Sequence, residues 1–72
     1  MKVKTFLQNF VSSNVPHFVS VDDNLTTDGK VVASHVTIDV LNALDARDMP
    51  SDLHLVHKLV VASLNDLGVA HV

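Results

Sequence analysis

Histidine is the residue type in this chain that first suggests a chemical site, because five histidines occur among only 72 residues. His54 and His57 are three positions apart, a spacing that makes them neighbours on a helix surface. A zinc site needs three or four converging ligands. The chain has no cysteine and no His-Glu-x-x-His motif to complete such a set. We therefore predict solvated surface histidines and no metal site.

A second possible constellation is the hydrolytic triad of serine, histidine and aspartate, since Ser34, His35 and Asp39 are close in sequence. Residues this close rarely reach one another with triad geometry, and no Gly-x-Ser-x-Gly elbow surrounds the serine. Gly29 and Gly68 are the only glycines, so there is no glycine-rich phosphate loop. The sequence predicts a protein that is not an enzyme and has no catalytic residue.

Charge and composition narrow the class of partner. The formal charge is -3, and the five basic residues are scattered, which disfavours nucleic-acid binding. An acidic surface favours partners with basic patches. No stretch is apolar for long enough to cross a bilayer. The absence of cysteine suits a reducing compartment, and polar residues interrupt the N-terminal apolar segment, so we predict a cytoplasmic protein.

The length allows one domain, residues 1–72, whose first element is predicted to be an amphipathic helix. Its apolar stripe recurs at helical spacing and consists of Val3, Phe6, Leu7, Phe10 and Val11. The Ser-Ser-Asn segment at 12–14 is expected to end it, with Pro16 preventing continuation. Residues 17–21 fit a short strand, and a long ordered loop over residues 17–29, with Phe18, Val21 and Leu25 facing the core, fits equally well. Turn chemistry follows in residues 22–24 and 26–29.

Residues 31–47 are ambiguous. Val32, Val36, Ile38 and Val40 alternate with polar residues as in a strand. Residues in the same segment also form a helical stripe of Ile38, Val40, Leu41, Ala43 and Leu44, with Ser34 as N-cap. These two patterns leave helix and strand open on the residues alone.

The last element is predicted to be a helix that opens at Pro50 and Ser51, with Ser51 as N-cap. Gly68 suits the left-handed position after a helix C-terminus, where Val69 would contact Leu64. The expected buried face consists of Leu53, Val56, Leu59, Val60, Leu64 and Leu67.

One pattern spans most of the chain. A serine is followed by an apolar residue, an acid, two apolar residues and then Ala-Leu-Asp. The positions are Ser34, Thr37, Ile38, Asp39, Val40, Leu41, Asn42, Ala43, Leu44 and Asp45. Leu-Thr-Thr-Asp-Gly precedes it at 25–29, and Met-Pro-Ser-Asp at 49–52 and Lys-Leu-Val-Val at 58–61 follow it. In these features the sequence resembles the acyl carrier proteins. It departs from the family at Ala33 and His35, where the family has Asp and Leu around the serine.

The resemblance implies an all-α fold, a small bundle of three to four helices. It also implies that Ser34 carries 4'-phosphopantetheine, whose thiol holds an acyl or aminoacyl thioester. Asp39, Asp45 and Asp48 would then face basic patches on a phosphopantetheinyl transferase and on acyl-processing enzymes, and the protein would be a monomer.

The alternative is an α+β fold with a β-hairpin and two helices, in which residues 31–40 pair with residues 17–21. That fold would belong to a small non-enzymatic binding or regulatory protein of the inhibitor type. The high hydrophobic content, 47%, would then form a homo-oligomer interface.

Overall fold

Three α-helices account for most of the structure. A computed structural model describes residues 3–49 and 51–72, except for the side chain of Val3. The helices are α1 (Val3–Ser20), α2 (Ala33–Ala46) and α3 (Leu53–Asp66), and a 3₁₀ turn, Asp22–Asn24, follows α1. The predictions for Pro50 and for burial of Val3 lie outside the described residues. The all-α prediction of a three- to four-helix bundle is confirmed.

Helix α1 is longer than predicted, because it continues through Pro16 to Ser20. The predictions that it ends at 12–14 and that residues 17–21 form a strand or loop are therefore wrong. Pro16 has no N–H to donate to the carbonyl of Ser12, so continuation costs one helical hydrogen bond. The burial of Phe18 offsets that loss. The Phe18 side chain is only 2% exposed, and the centroid of its ring lies 6.4 Å from that of Phe10.

Helix α2 resolves the ambiguity of residues 31–47. Val36, Val40 and Leu44, spaced by four, are all fully buried, as a helix requires. Ile38, which a strand would bury beside Val36 and Val40, is 54% exposed. Its predicted place in the buried helical stripe is therefore wrong as well.

The start of α2 also differs from the prediction. Val32 is the N-cap and makes no side-chain capping bond, so Ser34 is the second helical residue rather than the cap. Backbone bonding replaces the capping side chain, because the N–H of Ala33 donates to the backbone oxygen of Val72. Ser34 is exposed on the first turn.

Helix α3 begins one residue later than predicted. Asp52, not Ser51, is its N-cap, and the Asp52 carboxylate accepts from the N–H groups of His54 and Leu55 at 2.8 and 3.2 Å. Two residues of the predicted face are largely exposed, Leu53 at 57% and Leu67 at 43%. Leu53 is the first residue of α3 and Leu67 is its C-cap, so both lie at the ends of the helix.

The C-terminus of α3 is as predicted. Gly68 has a φ of 71°, and the Val69 N–H donates to the Leu64 carbonyl at 2.9 Å. A second bond, from the Gly68 N–H to the Asn65 carbonyl, completes the Schellman motif. Helix α2 ends in the same motif, but with Asp48 at φ 53° in the left-handed position.

The core lies where the three helices meet. Its buried apolar residues come from every helix and from the loop before α2; they are Leu7, Val11, Phe18, Val31, Ala33, Val36, Val40, Leu44, Val56, Val60 and Leu64. The guanidinium carbon of Arg47, at the C-terminal end of α2, lies 5.0 Å from the ring centroid of Phe6. This cation–π contact links the end of α2 to the first turns of α1. In the described ranges, no helix is long and apolar enough to cross a membrane.

Among the described residues, β-type pairing is limited to isolated bridges at Val31. Val31 pairs antiparallel with Leu25 and parallel with His71. The predicted turn at residues 26–29 closes the first of these, with Gly29 at φ 80° and its N–H donating to the Thr26 carbonyl. No hairpin of residues 17–21 with residues 31–40 forms, so the α+β alternative is wrong.

Candidate functional site

The candidate site is the first turn of α2, which carries Ser34. Helix termini leave backbone N–H groups without helical acceptors. The Ala33 N–H donates to the backbone oxygen of Val72 at 3.1 Å, and the His35 N–H donates to Val32 at 3.0 Å. Among the described residues, nothing accepts from the N–H of Ser34. An exposed hydroxyl therefore stands beside an available backbone donor at the positive end of a helix dipole.

His35 positions this turn. Its Nδ1 lies 2.8 Å from the carbonyl oxygen of Asp23, so the ring donates a hydrogen bond to the 3₁₀ turn. The nearby carbonyl of Asn24 accepts from the N–H of Val32 at 2.8 Å. The start of α2 is thus held on one side by the loop after α1 and on the other by the C-terminal residues. Sequence patterns treated His35 as a possible triad member and as a departure from the carrier motif, and neither interpretation predicted this contact.

The His35 contact also bears on the triad considered from sequence. In a Ser-His-Asp triad one imidazole nitrogen donates to a carboxylate and the other faces the serine. Here Nδ1 is engaged by a backbone carbonyl instead of the Asp39 carboxylate. The described contacts therefore do not assemble a triad from Ser34, His35 and Asp39.

The three predicted partner-binding acids are all exposed, but they are not equivalent. Asp45 lies on α2 eleven residues beyond Ser34, about 17 Å and close to three full turns along the helix. It therefore shares a side of α2 with Ser34 and with the exposed Ile38. Asp39 lies on a different side of the helix, five residues from the serine. Asp48 lies past the helix end, in the left-handed position.

His54 and His57 are exposed on the first turns of α3. Across residues 3–49 and 51–72, no group of three or more His, Cys, Asp or Glu side chains is close enough together to hold a metal ion. His71 is occupied elsewhere, with its Nε2 2.9 Å from the side-chain oxygen of Asn65.

Comparison with known proteins adds no relative. No family model matches the chain, and neither a curated protein nor a solved structure is detectably similar to it. Function must therefore be argued from the geometry of the molecule.

Proposed function

We propose that this protein is an acyl or peptidyl carrier, with 4'-phosphopantetheine attached to Ser34. The observation that carries the proposal is the position of Ser34: an exposed hydroxyl on the first turn of the second helix of an all-α bundle, after a long connection from α1. A modifying enzyme could approach such a hydroxyl without unfolding the carrier.

The surroundings of Ser34 are compatible with the prosthetic group. A phosphodiester on the Ser34 oxygen would lie at a helix N-terminus, where the dipole and first-turn N–H groups favour negative charge. The Ser34 N–H is the available donor, because Val72 already accepts from Ala33. When bound, phosphopantetheine supplies a terminal thiol that carries the acyl group as a thioester.

The role of this chain's own residues would be attachment and recognition. Ser34 supplies the attachment oxygen, and His35 holds the turn against the 3₁₀ segment through the Asp23 carbonyl. Exposed Asp45, on the same side of α2, would attract the basic patches of a transferase and of acyl-processing enzymes. Asp39 and Asp48 would widen that negative surface. Attraction of this kind speeds encounter more than it prolongs binding, as a transient carrier requires.

The test is the intact mass of the protein after incubation with coenzyme A and a broad-specificity phosphopantetheinyl transferase. We expect a gain of one phosphopantetheine, abolished in Ser34→Ala. Ser51→Ala is the matched control, because Ser51 is also exposed but precedes α3 without capping it. It should be modified as fully as the unchanged protein.

The proposal fails if no mass is gained with either this transferase or the host's own transferase. It also fails if Ser34→Ala is still modified. Circular dichroism of the Ser34→Ala protein must show unchanged helicity, so that loss of modification is not loss of fold.

A second candidate is a non-enzymatic binding or regulatory protein. The observation that favours it is the presence of large exposed apolar side chains on two helices, with Ile38 on α2 and Leu53 and Leu55 on α3 each at least 50% exposed. Sedimentation equilibrium separates the candidates: the carrier should remain monomeric, whereas an oligomeric binding protein should self-associate as its concentration rises.

A further inference from the structure

A polar cleft opens between α1 and α3, away from Ser34's helix. Its volume is about 290 Å³, and it is open to solvent on one side. Six side chains line it: Gln8, Asn9, Ser12, Ser63, Asp66 and Leu67. Five of the six are polar, although the two helices elsewhere meet through apolar residues.

The spacing of these residues explains why they converge. Gln8 and Ser12 are one turn apart on α1, and Ser63 and Asp66 are one turn apart on α3, so each pair shares a helix face. Val11 and Leu64, which adjoin Ser12 and Ser63 in sequence, are fully buried in the core. The cleft therefore borders the core, and two short serine side chains leave space where larger residues would close the gap.

Ser63 is the least expected member of the cleft, because it is a polar residue only 6% exposed. The other buried hydroxyl, Thr37, donates to the Ala33 carbonyl at 2.8 Å. No described residue bonds to the Ser63 hydroxyl in this way. Among the described residues, every side-chain oxygen that is sealed from solvent has a hydrogen-bond partner, so the Ser63 hydroxyl keeps an opening to solvent at the cleft that this residue lines. A hydroxyl without a protein partner at such an opening can bind a ligand in place of water.

The charge of the lining determines the chemistry of that ligand. Asp66 contributes a carboxylate, whereas the amides of Gln8 and Asn9 and the two serine hydroxyls are neutral. None of the described lining residues is a lysine or an arginine. We propose that the cleft binds a small hydroxylated primary amine, with its ammonium on Asp66 and its hydroxyl groups on the serines and amides. Its volume is at the lower end of the range for small-molecule sites, which suits a ligand the size of one sugar ring.

Titration of the ¹⁵N-labelled protein with D-glucosamine, followed by two-dimensional NMR, tests the proposal. We expect saturable shifts centred on residues 8–12 and 63–67, with a dissociation constant of about 1 mM, as a small open site allows. D-glucose is the matched probe, because it has a neutral hydroxyl where glucosamine has its ammonium. It should bind about tenfold more weakly, since it lacks the charged hydrogen bond.

Two variants locate the site. Asp66→Asn should reduce glucosamine affinity about tenfold and bring it level with glucose. Ser63→Ala should lower the affinity of the protein for both sugars. Asp28→Asn is the control, because Asp28 is an exposed acid in the turn at residues 26–29, outside the cleft, and its loss should leave affinity unchanged. The proposal is overturned if no saturable shifts appear, or if the protein binds the two sugars with equal affinity. It is also overturned if the Asp66→Asn protein keeps native thermal stability and binds glucosamine with unchanged affinity.

Discussion

The backbone oxygen of Val72 lies 3.1 Å from the N–H of Ala33, the first residue of the helix that carries Ser34. Two further bonds flank this contact: the Val31 N–H donates to Ala70, and the Val72 N–H donates to Val31, both at 2.9 Å. Residues 70–72 therefore form a strap that runs parallel to the loop before α2. The strap also accepts the hydrogen bond from the first N–H of α2, that of Ala33. This strap does for α2 what a capping side chain does for most helices.

Removal of residues 70–72 should lower the free energy of unfolding by about 3 kcal/mol, since three backbone hydrogen bonds of about 1 kcal/mol each are lost. The exposed bond between His71 and Asn65, which is lost as well, adds little. Urea denaturation followed by circular dichroism measures the change. Val72→Ala is the control, because it keeps all three backbone bonds and shortens a side chain that is 59% exposed. It should change stability by less than about 0.5 kcal/mol. Equal effects of the two changes would show that side-chain contacts, rather than the strap's backbone bonds, matter.

Asp48 occupies a backbone conformation that suits glycine. Its φ of 53° places it in the left-handed region at the end of α2, where Gly68 stands at the end of α3. Its carboxylate also lies at the negative end of the helix dipole. Asp48→Gly should therefore raise the free energy of unfolding by about 0.5–1 kcal/mol, after allowing for the greater freedom of glycine in the unfolded chain.

Thermal denaturation of Asp48→Gly, Asp48→Asn and Asp48→Ala separates strain from charge. Asparagine removes the charge and tolerates the left-handed region, so it should stabilise by less than glycine. Alanine removes the charge but keeps the strain and should not stabilise beyond asparagine. A midpoint for Asp48→Gly at or below that of the unchanged protein would contradict the argument.

Asp52 caps α3 and its neighbour Ser51 does not, so substitutions at the two positions should differ in their effect on stability. Asp52→Ala removes the acceptor for the N–H groups of His54 and Leu55 and should cost about 1 kcal/mol. Ser51→Ala removes a hydroxyl that does not cap the helix and should cost much less. Chemical denaturation of both variants tests the assignment. A larger loss for Ser51→Ala would place the cap one residue earlier, where the sequence pattern put it.

Sequence patterns alone predicted where helices occur better than they predicted the residues at which those helices begin and end. The valines of α2 fit both periods, because Val36 and Val40 are separated by four residues and so lie on the same side of a helix or of a strand. Ile38 discriminates by its exposure and Thr37 by its burial, and both depend on which neighbours pack against α2. Pro16 was misleading for a related reason: local propensity disfavours helix after it, but the tertiary burial of Phe18 outweighs that preference.

The candidate site was predictable in part. The helical interpretation of residues 31–47 placed Ser34 at the start of a helix as its N-cap, although the strand pattern of the same residues left that interpretation open. In the structure Ser34 is the second residue of α2. The bond from His35 to Asp23 spans 12 residues, and that from Ala33 to Val72 spans 39, so no local pattern reveals them. A hydrophobic residue such as Val32 can be an N-cap only because such distant backbone groups replace the capping side chain.

Matched leucine truncations test which residues hold the bundle together. Leu44 is fully buried in the core, whereas Leu53, which the sequence also placed on a buried face, is 57% exposed. Leu44→Ala should lower the free energy of unfolding by about 2–5 kcal/mol, because it removes buried apolar contacts and leaves a cavity. Leu53→Ala should change it by about 0.5 kcal/mol or less. Because the substitution is identical, helix propensity changes equally, and the difference between the two losses in urea denaturation reports burial. Similar losses would mean that Leu53 is covered in solution, which a self-associating protein would show and a monomeric carrier would not.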